Sequence, residues 1–413
     1  MAFARGNGWR RLGRMTVSVA LVSLLIVSSL SQCSTHPHHH HQHHERHHDQ
    51  HGHHEGRRVD PSSHPSTAGG GRGWKCNHDD IEQPQVKQSS VEYPSRHGEI
   101  DPTTGRRQVS SVWNPIRILA VKAYDDSMPK DKQDYVTKLV NEGISHFSQQ
   151  LQVVPVEGAL RVERQCEFSW VSGSKSGECS QASAPTCGTM VNIPEDHYAA
   201  LTLYNSDNGG QTWTTTDLPA GAGLQADTII YVTAGSNDIL DGCEGGSTLA
   251  YAGGCQRDQN DRPVVGYMHF CSDKIRPTTD PLLYGEDVAL AVHEMTHVIG
   301  FSTLSYPLFR RPDGSPYLER CPGAAGCTGR DWAGYPPGYS TDPIATVSSS
   351  VVATSNERGV SVKRIVTPSV QVVSRLHYGC ESAAGAELEG TGGISTAGSH
   401  WEKRTMRTEY MTG

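Results

Sequence analysis

Several segments of the chain carry apolar residues at a regular spacing. Ile116–Tyr124 alternates apolar and polar positions, which predicts a β-strand. Lys130–Leu151 carries apolar residues at helical spacing, which predicts a long amphipathic helix. Ala226–Ala234 and Pro263–Cys271 are rich in β-branched and aromatic residues, so both are predicted strands. Asp287–Gly300 has an apolar helical face and a terminal glycine, which predicts a further helix.

The remaining chain lacks such periodicity. After Phe301 it is rich in Pro, Gly and Ser, and we expect irregular structure as far as Gly413. Near the start, arginines precede the apolar run Val17–Leu30. This run is shorter than the roughly 20 residues that span a bilayer, so residues 1–31 are predicted to be a cleaved secretory signal.

A polar, low-complexity region follows the predicted signal. His36–His54 contains twelve histidines, and residues 32–75 cannot bury a core, so they are predicted to be disordered. Two interpretations of the histidine tract stay open, namely loose metal binding and a spacer. Arg106–Arg107 is a predicted processing point before the folded region.

Composition narrows the class of protein. The formal net charge of -8 over 413 residues, without a Lys/Arg block, argues against nucleic-acid binding, and no later segment is apolar enough to span a membrane. Eleven cysteines indicate an oxidising compartment. Setting aside Cys33, at the edge of the signal, and Cys76 leaves an odd number, so one is expected to lack an internal partner.

The predicted helix Asp287–Gly300 contains the motif HExxH. His293 and His297 are four residues apart and therefore share a helix face, where both imidazoles can bind one zinc ion. Glu294 lies where a general base can take a proton from water. The common position for a third histidine is occupied by Thr303.

Several downstream residues are alternatives for the third ligand. His400 is followed eleven residues later by Met411, the order of elements in a metzincin site, and His377 is an alternative in a predicted strand. A ligand set that uses Glu319 or Glu357 is disfavoured, because neither residue lies on a convincing helix.

From Cys76 to Gly413 the chain resembles the leishmanolysin family of metzincin metallopeptidases. The residues that carry the resemblance are HEMTH at His293–His297, GSH ending at His400 and EYM ending at Met411. Further matching stretches are TIIYVTAG, LAYAGGC, PVVGYMHF and RLHYGC. The family inserts a long segment before its third histidine. The resemblance therefore implies that His400 is the third ligand, with one Zn²⁺ per chain.

The resemblance also implies a fold and a domain order. The fold class is α+β, with a metzincin-type catalytic domain (a twisted mixed sheet with a zinc-binding helix) followed by a loop-rich central subdomain. The expected order is a propeptide at 76–107, an N-terminal catalytic subdomain at 108–301 and a central subdomain at 302–413. Because the sequence stops two residues after Met411, we expect a chain that is cut short before a C-terminal domain.

Further roles follow from the family pattern. Met411 would form an apolar floor beneath the ligands without bonding zinc. Cys76, in KCNHD, would be a zymogen switch whose thiolate ligates zinc and excludes the nucleophilic water. The family edge strand, here Val264, Val265, Gly266 and Tyr267, would pair with an extended substrate.

Two functions of different classes fit these features. The first is a secreted zinc endopeptidase, made as a cysteine-switched zymogen, whose partners are protein or peptide substrates. The alternative is a non-catalytic secreted metal-binding or adhesion protein on a degenerate or truncated peptidase fold. An intact Glu294 favours the enzyme, because a binding protein needs no base between two ligands.

Overall fold

The computed structural model describes residues 87–93, 113–183, 186–190, 192–235, 242–243, 248–321, 334–339, 343–390, 397–407 and 409–412. The predicted signal, the histidine tract, Cys76 and Arg106–Arg107 lie outside these ranges. The helices are α1 (Lys130–Gln150), α2 (Pro281–Val298) and α3 (Pro368–Tyr378), with 3₁₀ turns at Glu195–His197, Tyr306–Leu308 and Ile344–Thr346. The strands are β1 (Lys87–Ser89), β2 (Asn114–Pro115), β3 (Ile118–Tyr124), β4 (Gln152–Val153), β5 (Gln165–Ser169), β6 (Cys179–Ser183), β7 (Leu201–Asn205), β8 (Thr214–Leu218), β9 (Thr228–Gly235), β10 (Ala250–Asp258), β11 (Pro263–Cys271), β12 (Val352–Glu357), β13 (Val360–Ile365) and β14 (Ala386–Glu387).

A five-stranded mixed sheet forms the first half of the fold, in the order β1-β10-β11-β9-β3. β3, β9 and β11 run parallel, β10 is antiparallel to β11, and β1 pairs in parallel with the end of β10. The predictions of strands at β3, β9 and β11 are confirmed. Together with the helices, this sheet confirms the α+β class.

The expectation that Val264–Tyr267 belongs to an edge strand is wrong. β11 has β10 on one side and β9 on the other. Val264, Val265 and Tyr267 are fully buried, and a Cβ placed on Gly266 would lie 2.4 Å from Val298 Cγ1 of α2. These residues therefore hold the sheet and helix together. β10, which separates β11 from the edge, is a strand that the sequence pattern did not predict.

Both long helices pack on one face of the sheet. Alternate residues of β9 divide between the two faces: Ile230 and Val232 meet the helices, whereas Ile229 and Tyr231 enter a second core on the other side. The prediction of a helix at α1 is confirmed. The hydroxyl of Tyr135 in α1 donates to Asp287 of α2 at 2.6 Å, and this buried bond holds the two helices together.

α2 begins six residues before its predicted start. Asp280 caps it by accepting hydrogen bonds from the backbone N–H groups of Leu282 (2.9 Å) and Leu283 (3.1 Å), and Pro281 occupies the first helical position. The predicted end, beside Gly300, agrees with the structure to within two residues.

The chain after Phe301 contains regular structure that the sequence analysis did not predict. β12, β13 and β14 form a three-stranded antiparallel sheet with α3 beside it, and they share an apolar core that includes Trp401 and Met411. His377 belongs to α3, so its predicted placement in a strand is wrong. The predicted domain boundaries themselves stay a prediction.

Disulfides stabilise the first half of the fold. Cys187–Cys255 and Cys243–Cys271 tie loops to β10 and β11, and Cys166–Cys179 closes the β5–β6 hairpin. All eight cysteines within the described ranges are disulfide-bonded. Since Cys327 lies outside them, the expectation of one cysteine without an internal partner stays untested.

Candidate metal centre

The last turns of α2 hold His293, Glu294 and His297 in the interior. The exposed fractions are 0% for His293 and Glu294 and 1% for His297. Burial, followed by the nearby His400, lowers the pKa of His293 to about 3, although a hydrogen bond to the Tyr410 carbonyl acts in the opposite direction. His293 is therefore neutral near pH 7, which is the form that binds a metal.

The turn that ends α2 fixes the orientation of His297. Gly300 N–H donates to the His297 carbonyl (3.2 Å) and Phe301 N–H donates to the Thr296 carbonyl (3.0 Å), the two bonds of a Schellman motif. Gly300 has φ +120°, a conformation that favours glycine. The reversal brings the Phe301 carbonyl to 2.8 Å from His297 Nδ1, which donates to it.

His400 reaches the helix from the second half of the chain, beside Thr303. The Thr303 N–H donates to Ser399 Oγ (3.2 Å), and the Tyr306 hydroxyl donates to the Gly398 carbonyl (2.9 Å). Gly398 has φ +100°, and a Cβ at this position would lie 2.9 Å from the Thr303 methyl group. Thr303, which occupies the common position of the third histidine, thus contacts the segment that carries His400.

The segment around Met411 supports the site through its backbone. His293 Nδ1 donates to the Tyr410 carbonyl at 2.6 Å, and the Trp401 N–H donates to the Met411 carbonyl at 2.8 Å. The Met411 side chain is 3% exposed and belongs to the apolar cluster that contains Phe301 and Trp401. The sequence motif pointed to the Met411 side chain, whereas the contact to His293 is made by the backbone carbonyl of Tyr410.

The three imidazoles converge on one point. His293 Nε2 lies 3.2 Å from His297 Nε2 and 3.2 Å from His400 Nε2. Because His293 and His297 donate through Nδ1, their Nε2 lone pairs face each other, an arrangement that a cation between them relieves. Tetrahedral zinc with Zn–N bonds of about 2.0–2.1 Å separates its nitrogen ligands by roughly 3.4 Å. The spacing of the nitrogens therefore fits zinc.

Other candidate ligands lie apart from this group. Within the part of the chain that the structure describes, His293, His297 and His400 form the group of side chains suited to a metal. Glu319 is exposed in a loop, and Glu357 on β12 pairs with Arg364. His377 on α3 lines a small cavity together with Tyr410 and Met411, and none of the three converging histidines lines that cavity.

The chain is similar in sequence to one family model and to several known proteins, which all carry related descriptions. A family model described as leishmanolysin matches residues 212–313 and 338–413. The leishmanolysin-like peptidase of Drosophila pseudoobscura pseudoobscura is 31% identical over 321 residues, which is 75% of this chain and 45% of that protein. The leishmanolysin-like peptidase of Caenorhabditis elegans is 31% identical over 337 residues, 78% of this chain and 49% of that protein.

A more distant relative is the leishmanolysin homolog of Crithidia fasciculata. It is 24% identical over 290 residues, 70% of this chain and 31% of that protein. The chain spans less than half the length of each of these relatives. Among the helices that the structure describes, none combines the length and the apolar character needed to cross a membrane.

Proposed function

Because the chain belongs to the leishmanolysin family, we propose that it is a zinc-dependent endopeptidase that hydrolyses peptide bonds in proteins. The observation that carries this proposal is the convergence of three buried imidazole nitrogens at 3.2 Å, one residue away from a fully buried glutamate. His293, His297 and His400 would hold one zinc ion.

Each group at the site would have a separate role in hydrolysis. When bound, zinc lowers the pKa of a water ligand and polarises the scissile carbonyl. The carboxylate of Glu294 takes the proton of the attacking water and delivers it to the leaving amine. The carbonyls of Tyr410 and Phe301 keep the Nδ1 protons of His293 and His297 in place, so that both Nε2 atoms stay available.

Proteins and peptides are the proposed substrates, as the family and its leishmanolysin-like peptidase relatives imply. β11 is not proposed as the strand that binds them, because it has β9 on one side and β10 on the other.

Secretion and latency complete the proposal. Three disulfides within the described residues fit an oxidising compartment, in agreement with the predicted signal at 1–31. Cys76 is the proposed zymogen switch, because a thiolate at the fourth ligand position excludes the attacking water.

Hydrolysis of fluorescently labelled casein by the purified secreted chain tests this function. We expect activity to appear after a thiol-reactive agent, to stop with a zinc chelator and to return with added zinc. Glu294→Gln should lower kcat by about 10²–10⁴-fold and still bind zinc, because it removes only the base. Glu286→Gln, on the same helix outside the motif, is the matched control and should match the native chain.

Two results would overturn the proposal. Hydrolysis that persists in the chelator would exclude a zinc mechanism. A native chain that binds one zinc ion and remains inactive after thiol treatment would favour a non-catalytic metal-binding protein.

A further inference from the structure

The three histidines of the metal centre differ in what faces their second ring nitrogen. His293 and His297 each donate through Nδ1 to a backbone carbonyl, at 2.6 Å and 2.8 Å. His400 faces a carboxylate, since its Nδ1 lies 4.0 Å from Glu389 Oε2. His400 is 0% exposed at its side chain and Glu389 is 12% exposed, so this pair of groups is largely shielded from water.

Backbone pairing holds Glu389 beside His400. The Glu389 N–H donates to the His400 carbonyl at 2.8 Å, and the Glu389 carbonyl accepts from the Gly398 N–H at 3.0 Å. Leu388 and Trp401 form an antiparallel bridge next to this pair. These backbone bonds hold Glu389 next to His400, which its carboxylate faces.

We propose that Glu389 is a positioning residue for His400, and this inference rests on the proposed zinc function. Its carboxylate would keep the proton of His400 on Nδ1 and leave the Nε2 lone pair directed at the metal. The 4.0 Å between His400 Nδ1 and Glu389 Oε2 is longer than a hydrogen bond, and a side-chain movement of about 1 Å brings the two atoms into hydrogen-bond range.

The carboxylate also contributes charge. A zinc ion held by three neutral imidazoles keeps two positive charges in a buried site, and a nearby anion lowers the free energy of that state. A carboxylate that accepts a hydrogen bond from Nδ1–H also makes the imidazole a stronger metal ligand than a carbonyl acceptor does. The Glu389 carboxylate would therefore increase zinc affinity in two ways, through its negative charge and through its effect on His400.

Zinc affinity of the full chain tests the inference, measured by competition with a chromophoric chelator. Glu389→Ala should weaken zinc binding by about 10–100-fold, the usual effect of removing such a partner. Glu389→Gln should weaken it several-fold, because the amide oxygen still accepts a hydrogen bond but carries no charge. Glu387→Gln is the matched control: Glu387 lies two residues away, pairs with Arg364 and Arg404, and should leave the affinity within twofold of native.

A cobalt-substituted chain gives a second readout. We expect the visible absorption bands of Co²⁺ to shift in Glu389→Ala and to stay native in Glu387→Gln, because only Glu389 changes the field at a ligand. Native affinity in Glu389→Gln overturns the inference even if Glu389→Ala fails to fold. Failure of the native chain itself to bind zinc would instead overturn the proposed function.

Discussion

Gly285, inside α2, and Gly300, just after α2, predict opposite effects of substitution by alanine. Gly300, just beyond the helix, has φ +120° and forms the turn that returns the Phe301 carbonyl to His297. Gly285 is an exposed residue inside the helix, where a Cβ would meet nothing within 4 Å. We expect Gly300→Ala to destabilise the protein and Gly285→Ala to stabilise it.

The magnitudes follow from the local geometry. At Gly300 a Cβ would have its nearest neighbour, Pro263 Cγ, at 3.7 Å, so the cost is backbone strain and not a clash. Such strain is worth about 1–3 kcal/mol, reduced by about 0.4–1 kcal/mol because alanine also restricts the unfolded chain. Gly285→Ala should add about 0.5–1 kcal/mol, the difference between the two residues in a helix.

Urea unfolding followed by tryptophan fluorescence, with disulfides intact, measures both changes. A zinc competition assay on the same variants measures the site. If Gly300→Ala displaces the Phe301 carbonyl, zinc affinity should fall by about 10–100-fold, whereas Gly285→Ala should leave it native. A Gly300→Ala variant with the same urea midpoint and the same zinc affinity as the native chain would refute this prediction.

Three further predictions concern the metal and the core. His400→Ala should abolish tight zinc binding, whereas His377→Ala should keep one zinc per chain; equal zinc contents by atomic absorption would contradict this. Zinc at 1,000 times its dissociation constant should raise the unfolding free energy by about 4 kcal/mol, so a melting temperature unchanged by chelator would exclude a zinc-stabilised fold. Burial acts to raise the pKa of Asp227, but hydrogen bonds from Arg117 and the Val156 N–H lower this pKa overall. The ionised Asp227 therefore stabilises the folded protein at pH values above the unfolded pKa near 3.9. That stabilisation is lost as the pH falls through the folded pKa. Asp227→Asn should cost about 2–4 kcal/mol at pH 7 and flatten the acid limb of a stability–pH curve, and an unchanged acid limb would count against the assignment.

Periodicity was enough to predict the elements that bury a continuous face. β3, α1, β9 and β11 carry β-branched or aromatic residues, or apolar residues at helical spacing, and their predicted positions agree with the structure to within a few residues. The same pattern predicted that α2 places His293 and His297 on one face. These features are local, and a sequence records local features directly.

Other features depend on partners elsewhere in the chain. β10 was missed because Gly253 and Gly254 lower strand propensity, and the irregular pairing beyond Gly254 interrupts its alternation. The expectation that β11 lies at the edge came instead from the family resemblance, and the pairing of β11 with both β9 and β10 contradicts it. The early start of α2 at Pro281 could have been predicted, because Asp280 followed by proline is a capping signal.

The partners of the ligand histidines could not be predicted from residue types. Two of them are backbone carbonyls, of Phe301 and Tyr410, and a carbonyl has the same chemistry in every residue. Glu389 is a side chain, but the sequence does not show that its backbone pairs with His400. Only the tertiary fold brings these groups to the histidines.

The long segment between His297 and His400 is compatible with a well-defined metal site. Lengthening a connection from about 6 to about 100 residues costs only about 2.5 kcal/mol in closure entropy, because that cost grows with the logarithm of length. Phe301 and Trp401, at the two ends of the segment, pack with ring centroids 4.6 Å apart, and burial of two such rings offsets a cost of this size. The segment also forms its own sheet and apolar core, so the position of His400 is fixed by folded structure and not by a flexible loop. The third histidine can therefore lie at almost any distance in sequence, whereas the spacing of His293 and His297 is fixed by one turn of helix.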